Sequence, residues 1–253
     1  MGKKLKQTPY IVAFLDFLGA SEKMEMSGES DVFLQQIYRI YNIAIGKLKL
    51  VKKIGLLDLD VKIFSDNILV VQKIRNRDNP IPEFVEVQSF CRLFQSYAFE
   101  QGLLVRGAIT KGAFFINEIF VYGAALSKAY RMESHHAKYP RIIVDPCIFS
   151  LGNIPEFLLA ENSQNGVCIK CDPHNTYYLD PFSFMHEHFT QNDFNNLLLK
   201  VKEIIVSGYA ESYPKNSTVS EKYIWLAKAF NEFCDRKDLI EHKVLTSVVE
   251  VQK

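Results

Sequence analysis

The sequence predicts an α+β fold of the split βαβ, or ferredoxin-like, type, followed by a C-terminal helical appendage. Two observations predict this architecture. Apolar patterns typical of strands and helices alternate in the order β-α-β-β-α-β, and a further β-α-β follows. Beyond about residue 185 the apolar spacing is helical. With 253 residues, 48% of them hydrophobic, the chain is long enough for a large domain at 1–185 and an appendage at 186–253 packed on it.

The composition argues against several classes of partner. The formal net charge is +1, so no basic excess predicts a nucleic-acid partner. No apolar run reaches the roughly 18 residues that a spanning helix needs, so we expect no direct membrane insertion. Five cysteines without the spacing of a disulfide framework fit a reducing compartment, which predicts a cytoplasmic protein.

The first half of the chain divides into recognisable elements. "YIVAFLDF" at 10–17 has the continuous apolar pattern of a buried strand. We predict a loop at 19–30, with Ser30 as the cap of the next helix. That helix runs to about residue 52, and its apolar face is formed by Phe33, Ile37, Tyr41, Ala44 and Leu48. "DVKIFSDNILVVQ" then predicts two strands joined by a turn at 65–67.

The second half of this domain continues the alternation. Prolines at 80 and 82 open a predicted helix that ends near residue 101. Strands follow in "GLLVRGAITKGAFF" and "EIFVYG", then a short helix in "AALSKAYRMESHHA" and a strand in "RIIVDP".

Two aspartates stand at positions that this topology brings together. Asp16 ends the first strand and Asp66 lies at the tip of the hairpin. The strand and the hairpin are neighbours in a split βαβ sheet, so both carboxylates can face one spot. Two buried like charges are costly unless a divalent cation holds them, and such a pair suits Mg²⁺ or Mn²⁺. Taken singly, Asp66 is a solvated turn residue and Asp16 a strand-end cap.

A cation on the later helix is the third feature. Arg131 lies one turn after Ser127, on the same helical face. Its ordinary interpretation is a surface arginine paired with Glu133 or Glu118. The alternative is a guanidinium aimed at a phosphate, which its planar fork suits.

These residues carry a resemblance to a known family. "FLDFLG" at 14–19, "KIFSD" at 62–66 and "YGAALSKAYRME" at 122–133 resemble the class III nucleotidyl cyclases, over most of residues 10–145. Within that class, "RGAITKG" and "AKYPRIIVD" look most like the pyrimidine cyclases of bacterial Pycsar anti-phage systems. The resemblance implies that 1–185 is a cyclase catalytic domain.

The resemblance also implies a metal site. Asp16 and Asp66 would bind two ions, Mn²⁺ or Mg²⁺, with the backbone of Phe17 beside them. The backbone of Phe17, Leu18 and Gly19 would lie against a nucleoside triphosphate.

On the later helix, Arg131 would be the transition-state arginine. Ser127 falls where many members carry an asparagine that orients the ribose, so this chain departs from the pattern there. In this class the aspartates and the arginine come from opposite subunits, which implies a homodimer with shared active sites. The apolar runs "FFINEIF" and "FVYGAAL" would supply the interface.

Two further positions concern recognition of the nucleotide base. The resemblance implies that Lys62 and Phe120 fall at the positions where the family contacts this base. Lysine only donates hydrogen bonds, which suits O4 of uracil, N3 of cytosine or N1 of adenine and disfavours guanine. Phe120 offers adenine's amino group no acceptor, and its ring suits a smaller base, so uracil fits best and cytosine next. Alternatively, Lys62 points to solvent. Arg106 is a further candidate for a base or phosphate contact.

The resulting expectation is a uridylate cyclase that converts UTP to 3′,5′-cyclic UMP and diphosphate. Its product would be a second messenger in antiviral defence, read by a separate effector protein. The alternatives are a cytidylate or adenylate cyclase, and a catalytically inactive cyclase-like module that binds a nucleotide or a partner. The departure at Ser127 favours the inactive module, whereas the paired aspartates and Arg131 count against it.

Overall fold

The computed structural model describes residues 5–27, 31–53, 59–149, 152, 154–159 and 169–244. Its centre is a mixed β-sheet with the strand order β2-β3-β1-β4-β6-β8-β7, and β5 pairs with β4 outside this path. The strands are β1 Thr8–Phe17, β2 Asp60–Phe64, β3 Asn67–Lys73, β4 Val105–Ile116, β5 Val121–Tyr122, β6 Ile142–Val144, β7 Ile169–Cys171 and β8 Tyr177–Leu179.

Seven α-helices lie in the described part of the chain. They are α1 Ala20–Ser27, α2 Val32–Lys53, α3 Ile81–Glu100, α4 Ala124–His136, α5 Ser183–His188, α6 Gln191–Ser212 and α7 Ser217–Arg236. None of the described helices is both long and apolar enough to cross a membrane.

The sheet topology confirms the predicted split βαβ order. The central strand β1 pairs antiparallel with both β3 and β4, and β2 pairs antiparallel with β3. The first four strands therefore lie in the order β2-β3-β1-β4, as this fold requires. β6 extends the sheet parallel to β4, and the β7–β8 hairpin, which the apolar pattern did not indicate, completes it.

Helices cover both faces of the sheet, because successive side chains of a strand point to opposite sides. On one face, Ile11, Ala13 and Leu15 of β1 join the main core with α2 and α3. On the other, Val12 and Phe14 pack with α4. The apolar positions predicted for α2 are buried or partly buried in the main core, which confirms that helix.

The loop predicted after β1 is wrong in its first part. Residues 20–27 form α1, which starts directly after Gly19, a glycine with a φ of +74°. The segment "ASEKMEMS" is rich in alanine, glutamate, lysine and methionine, all strong helix formers. Glycine and serine residues on both sides of these helix formers, at 19, 27, 28 and 30, gave the stretch a loop-like composition. That composition hid the helix. Ser30, the predicted cap of α2, lies outside the described residues.

The last three helices form a second core on the end of α3. Phe99 and Leu104 pack with an aromatic group from the C-terminal region that comprises Phe182, Phe194, Phe230 and Phe233. The helical character predicted after residue 185 is confirmed by α6 and α7. The domain boundary at 185 stays a prediction.

Candidate active site at the end of β1 and the β2–β3 turn

Asp16 lies near the end of the central strand, between two polar neighbours. In register it pairs with Asn67 on β3 and with Arg106 on β4. Strand alternation places it on the same face as Phe14, which is the face that α4 covers. Apolar strands thus hold a carboxylate at a fixed place on the rim of the sheet.

Asp66 reaches the same rim from the hairpin. Ser65 and Asp66 form a two-residue turn, and Ser65 has a φ of +57°, a left-handed conformation found in tight hairpins. The Nδ2 of Asn67 donates to Oδ1 of Asp66 at 3.0 Å, and the hydroxyl of Tyr41 donates to the carbonyl oxygen of Ser65 at 3.2 Å. These bonds fix the turn and orient its carboxylate.

The two aspartates act on one another, as the topology predicted. Burial raises the pKa of Asp16, the Arg106 guanidinium opposes this, and the charge of Asp66 and a hydrogen bond to it raise the pKa further. Burial together with both carboxylates also raises the pKa of Tyr41. Two carboxyl groups therefore share one small, partly desolvated place.

Arg106 is held by carboxylates on two elements. Its Nη2 lies 3.0 Å from Oδ2 of Asp16, and its Nε lies 2.7 Å from Oε1 of Glu133 on α4. Burial raises the pKa of Glu133 to about 7; Arg106 opposes this shift, whereas Asp16 and Asp66 add to it. Within the described part of the chain the guanidinium is paired with Asp16 and Glu133, and the base or phosphate contact suggested for it stays a prediction.

Glu133 makes stability depend on pH. Its folded pKa of about 7 is above its ordinary value of 4.5, so the folded state binds more protons between these two values. Stability is therefore lost as pH rises through about 7. The unfolding free energy of the unaltered protein is expected to fall between pH 5 and pH 8. In Glu133→Gln we expect this fall to be smaller, by on the order of 2 kcal/mol. Urea titrations across this range measure it, and an unchanged slope in the variant would contradict the assignment.

The carboxylate pair fits a divalent cation in its donor chemistry. Mg²⁺ and Mn²⁺ sites in phosphate-binding proteins commonly use one or two carboxylates, and waters and phosphate oxygens complete the shell. Asp16 and Asp66 supply two carboxylates at one place. Among the described residues no group of three or more His, Cys, Asp or Glu side chains forms a metal cluster, so the remaining ligands would come from solvent and substrate.

The loop after β1 presents backbone to the same rim. Phe17 is buried and its ring packs on Phe94 at 5.6 Å between centroids, so only its main chain is free to face a ligand. The amide of Leu18 donates to the carbonyl oxygen of Leu104 at 2.9 Å, and Gly19 turns the chain into α1. The Leu18 amide is therefore already paired within the chain, and the backbone role suggested for Phe17, Leu18 and Gly19 stays a prediction.

Arg131 and Ser127 are exposed on α4. No carboxylate in the described part of the chain forms an ion pair with Arg131, and Glu133, its suggested partner, pairs with Arg106. The ordinary interpretation of Arg131 as half of a local ion pair thus finds no support among the described residues. The structure does not bring Arg131 into contact with Asp16 or Asp66 within one chain.

Lys62 lies on β2 and Phe120 in the turn between β4 and β5, and a hydrogen bond joins these two elements. The Nζ of Lys62 donates to the carbonyl oxygen of Glu118 at 3.1 Å, which ties β2 to the β4–β5 turn. The side-chain oxygen of Asn117 accepts from the amides of Ile119 and Phe120 at 2.9 and 2.8 Å and fixes that turn. Lys62 therefore does not simply point to solvent.

Sequence reasoning missed two groups at this site. Tyr41 was predicted only as part of an apolar face, although its hydroxyl holds the Ser65 carbonyl. Glu133 was considered only as a partner of Arg131. A charged residue on the inner face of α4, one that breaks an otherwise apolar pattern, was the available signal.

Comparisons with known proteins give fold similarities only. No protein-family model matches the chain, and no curated protein matches it. The adenylyl cyclase CyaB from P. aeruginosa is 14% identical with a TM-score of 0.47, covering 70% of this chain and 96% of that one. The catalytic core of a rhodopsin-guanylyl cyclase with converted specificity, in complex with ATPalphaS, is 12% identical with a TM-score of 0.46, covering 69% and 97%.

A third solved structure is the monomeric guanylyl cyclase domain of the RhoGC fusion protein from the aquatic fungus Blastocladiella emersonii. It is 13% identical with a TM-score of 0.45, covering 70% of this chain and 98% of that one.

Proposed function

We propose that the protein is a class III nucleotidyl cyclase, a phosphorus–oxygen lyase that converts UTP to 3′,5′-cyclic UMP and diphosphate. One observation carries the proposal: Asp16 and Asp66, from two neighbouring parts of a split βαβ sheet, meet at one partly buried place. The carboxylates of Asp16 and Asp66 repel each other, so a strand-end cap and a turn residue without a shared ligand gain nothing from lying together.

The reaction exchanges one phosphorus–oxygen bond for another and releases a proton. The ribose 3′-hydroxyl loses its proton to solvent, its oxygen attacks the α-phosphorus, and the bond from that phosphorus to the bridging oxygen of diphosphate breaks. Divalent ions bound by Asp16 and Asp66, with the Phe17 backbone beside them, would neutralise the phosphates and acidify the 3′-hydroxyl. The backbone of Leu18 and Gly19 would lie against the triphosphate, and Arg131 would stabilise the charge that develops on the α-phosphate.

A homodimer completes the site. Arg131 is exposed and lies on a different element from the aspartates, so a second subunit can offer its Arg131 to them. The β4–β5 turn nearby is apolar and exposed: Ile119 is 90% exposed, and Phe120 and Tyr122 are also exposed. An exposed apolar surface of this kind is typical of a protein–protein interface.

Specificity for uracil is supported by Lys62 and Phe120. Lys62 donates to the carbonyl oxygen of Glu118, two residues before Phe120, and the Phe120 side chain is exposed. A lysine ammonium has three N–H donors and the Glu118 carbonyl takes one, so the remaining donors suit O4 of uracil or N3 of cytosine and disfavour guanine. We propose that cyclic UMP then acts as a cytoplasmic messenger, read by a separate effector in defence against phage.

The test is an incubation of the purified protein with Mn²⁺ and, separately, UTP, CTP, ATP and GTP, with products identified by mass. Cyclic UMP from UTP alone is the expected result. An Asp16→Asn variant purified in parallel controls for a contaminating cyclase. A product from another nucleotide would overturn the base assignment and keep the mechanism. No product from any nucleotide would favour the inactive module, to which the departure at Ser127 points.

A further inference from the structure

A cavity of about 470 Å³ lies between the β1–α1 loop and the C-terminal helices. On one side it is lined by Leu18, Gly19 and Lys23, and on the other by Lys215 and Lys222. The backbone proposed to hold the triphosphate therefore shares a cavity with side chains from some 200 residues later in the chain. The helical appendage is thus placed to contact the substrate.

Lys222 is a lysine of this cavity on which the charge of Asp16 acts. It is partly buried on α7, and the charges of Arg106, Glu22 and Asp16 all act on its ammonium group. Burial and Arg106 lower its pKa, and Glu22 and Asp16 oppose the shift. No carboxylate of the described residues forms an ion pair with it. A partly desolvated ammonium group without a paired anion favours the binding of one.

The charges around the cavity suit an anion that is already bound to divalent cations. Lys23, Lys215 and Lys222 face it, and so do Glu22 and Glu211, which leaves a formal charge of +1 from three lysines and two glutamates. Burial lowers the pKa of Lys23, and Glu211 opposes the shift. A triphosphate neutralised in part by divalent ions matches such a mixed lining better than a free polyanion does.

Packing holds the two sides of the cavity in place. Leu18 packs against the second core, which α6 and α7 build. Gly208 on α6 lets the Tyr223 ring of α7 approach closely, since a Cβ at Gly208 would lie 2.1 Å from the ring. Tyr223 follows Lys222 directly, so this contact fixes the packing of α7 on α6 at the turn that carries the lysine.

We infer that Lys222, supported by Lys23, binds the terminal phosphates of the nucleoside triphosphate. The appendage is therefore part of the substrate site. This inference rests on the proposed function for the identity of the substrate, and the anion site itself does not depend on turnover.

The experiment compares Lys222→Met with the unaltered protein. Binding of inorganic tripolyphosphate in the presence of Mg²⁺ is measured by calorimetry, and the KM for UTP by product formation. Loss of one charge-assisted contact is expected to weaken tripolyphosphate binding and to raise KM by about 10-fold or more, with a smaller change in kcat. Lys228→Met, on another face of α7, is the matched control and is expected to leave both unchanged.

Lys222→Arg keeps the charge and is expected to restore most of the binding, which separates a charge effect from misfolding. Equal binding of tripolyphosphate by the unaltered protein and by Lys222→Met would overturn the inference, as would no binding by the unaltered protein. Failure of the proposed function is seen separately, as no cyclic product from any nucleotide. Weaker tripolyphosphate binding by Lys222→Met would still support the anion site in that case.

Discussion

Asp66→Asn is expected to abolish nucleotide cyclisation, with a loss of at least about 100-fold, while the protein stays folded. The asparagine keeps the shape of the side chain and the turn that Ser65 and Asn67 set, but it removes the charge that a divalent cation would bind. Removal of a like charge beside Asp16 also relieves repulsion, so the unfolding free energy should not fall. Initial rates with UTP and Mn²⁺, alongside thermal unfolding, measure both effects.

A control for this substitution lies on the same hairpin. Asp60→Asn removes a carboxylate from the exposed start of β2, where it pairs loosely with Lys52 at 3.8 Å. Exposed pairs contribute little, so activity and stability should both remain. Full activity in Asp66→Asn would contradict the metal assignment. An unfolded Asp66→Asn protein would show instead that the carboxylate serves the fold.

Arg131→Ala is expected to lower kcat by about 100- to 1000-fold, because a charge that stabilises the transition state is lost. Its side chain is exposed and forms no ion pair among the described residues, so stability should be unaffected. His136→Ala, an exposed change on another face of α4, is the matched control. Rates at saturating UTP distinguish an effect on kcat from an effect on binding.

Shared sites make a sharper prediction for mixed dimers. When Arg131→Ala and Asp66→Asn chains are co-expressed, about half of the dimers are mixed. In each mixed dimer one site carries both defects and the other carries neither. Activity is therefore expected to recover to about a quarter of the unaltered level, although each variant alone is inactive. No recovery in a mixture shown to contain mixed dimers would place the arginine and the aspartates in one chain.

The strand order was predictable from sequence because each element has a strong local pattern. The buried strand of β1, the hairpin around Ser65 and Asp66, and the apolar face of α2 each follow from spacing alone. Given that order, chain topology leaves few arrangements, so the approach of Asp16 to Asp66 followed as well.

What sequence could not predict depends on contacts between distant elements. The pairing of Arg106 with Glu133 joins β4 to α4, and neither residue has a pattern that selects the other. Lys222 is one of two lysines on α7, and only the packing of α7 on the β1–α1 loop distinguishes it from Lys228. Helix α1 was missed because its neighbours at Gly19 and beyond resemble a loop.

The guanidinium of Arg106 beside Asp16 has a consequence for the resting protein. The carboxylate already has a counter-ion from its own chain, which opposes the rise in its pKa that burial and Asp66 cause. A divalent ion that arrives must compete with this internal partner. Competition of that kind favours an ion that brings further oxygen ligands with it, as a metal–triphosphate complex does. The proposed enzyme is therefore expected to bind a free divalent ion weakly and to bind the metal more strongly when it arrives in complex with the nucleotide.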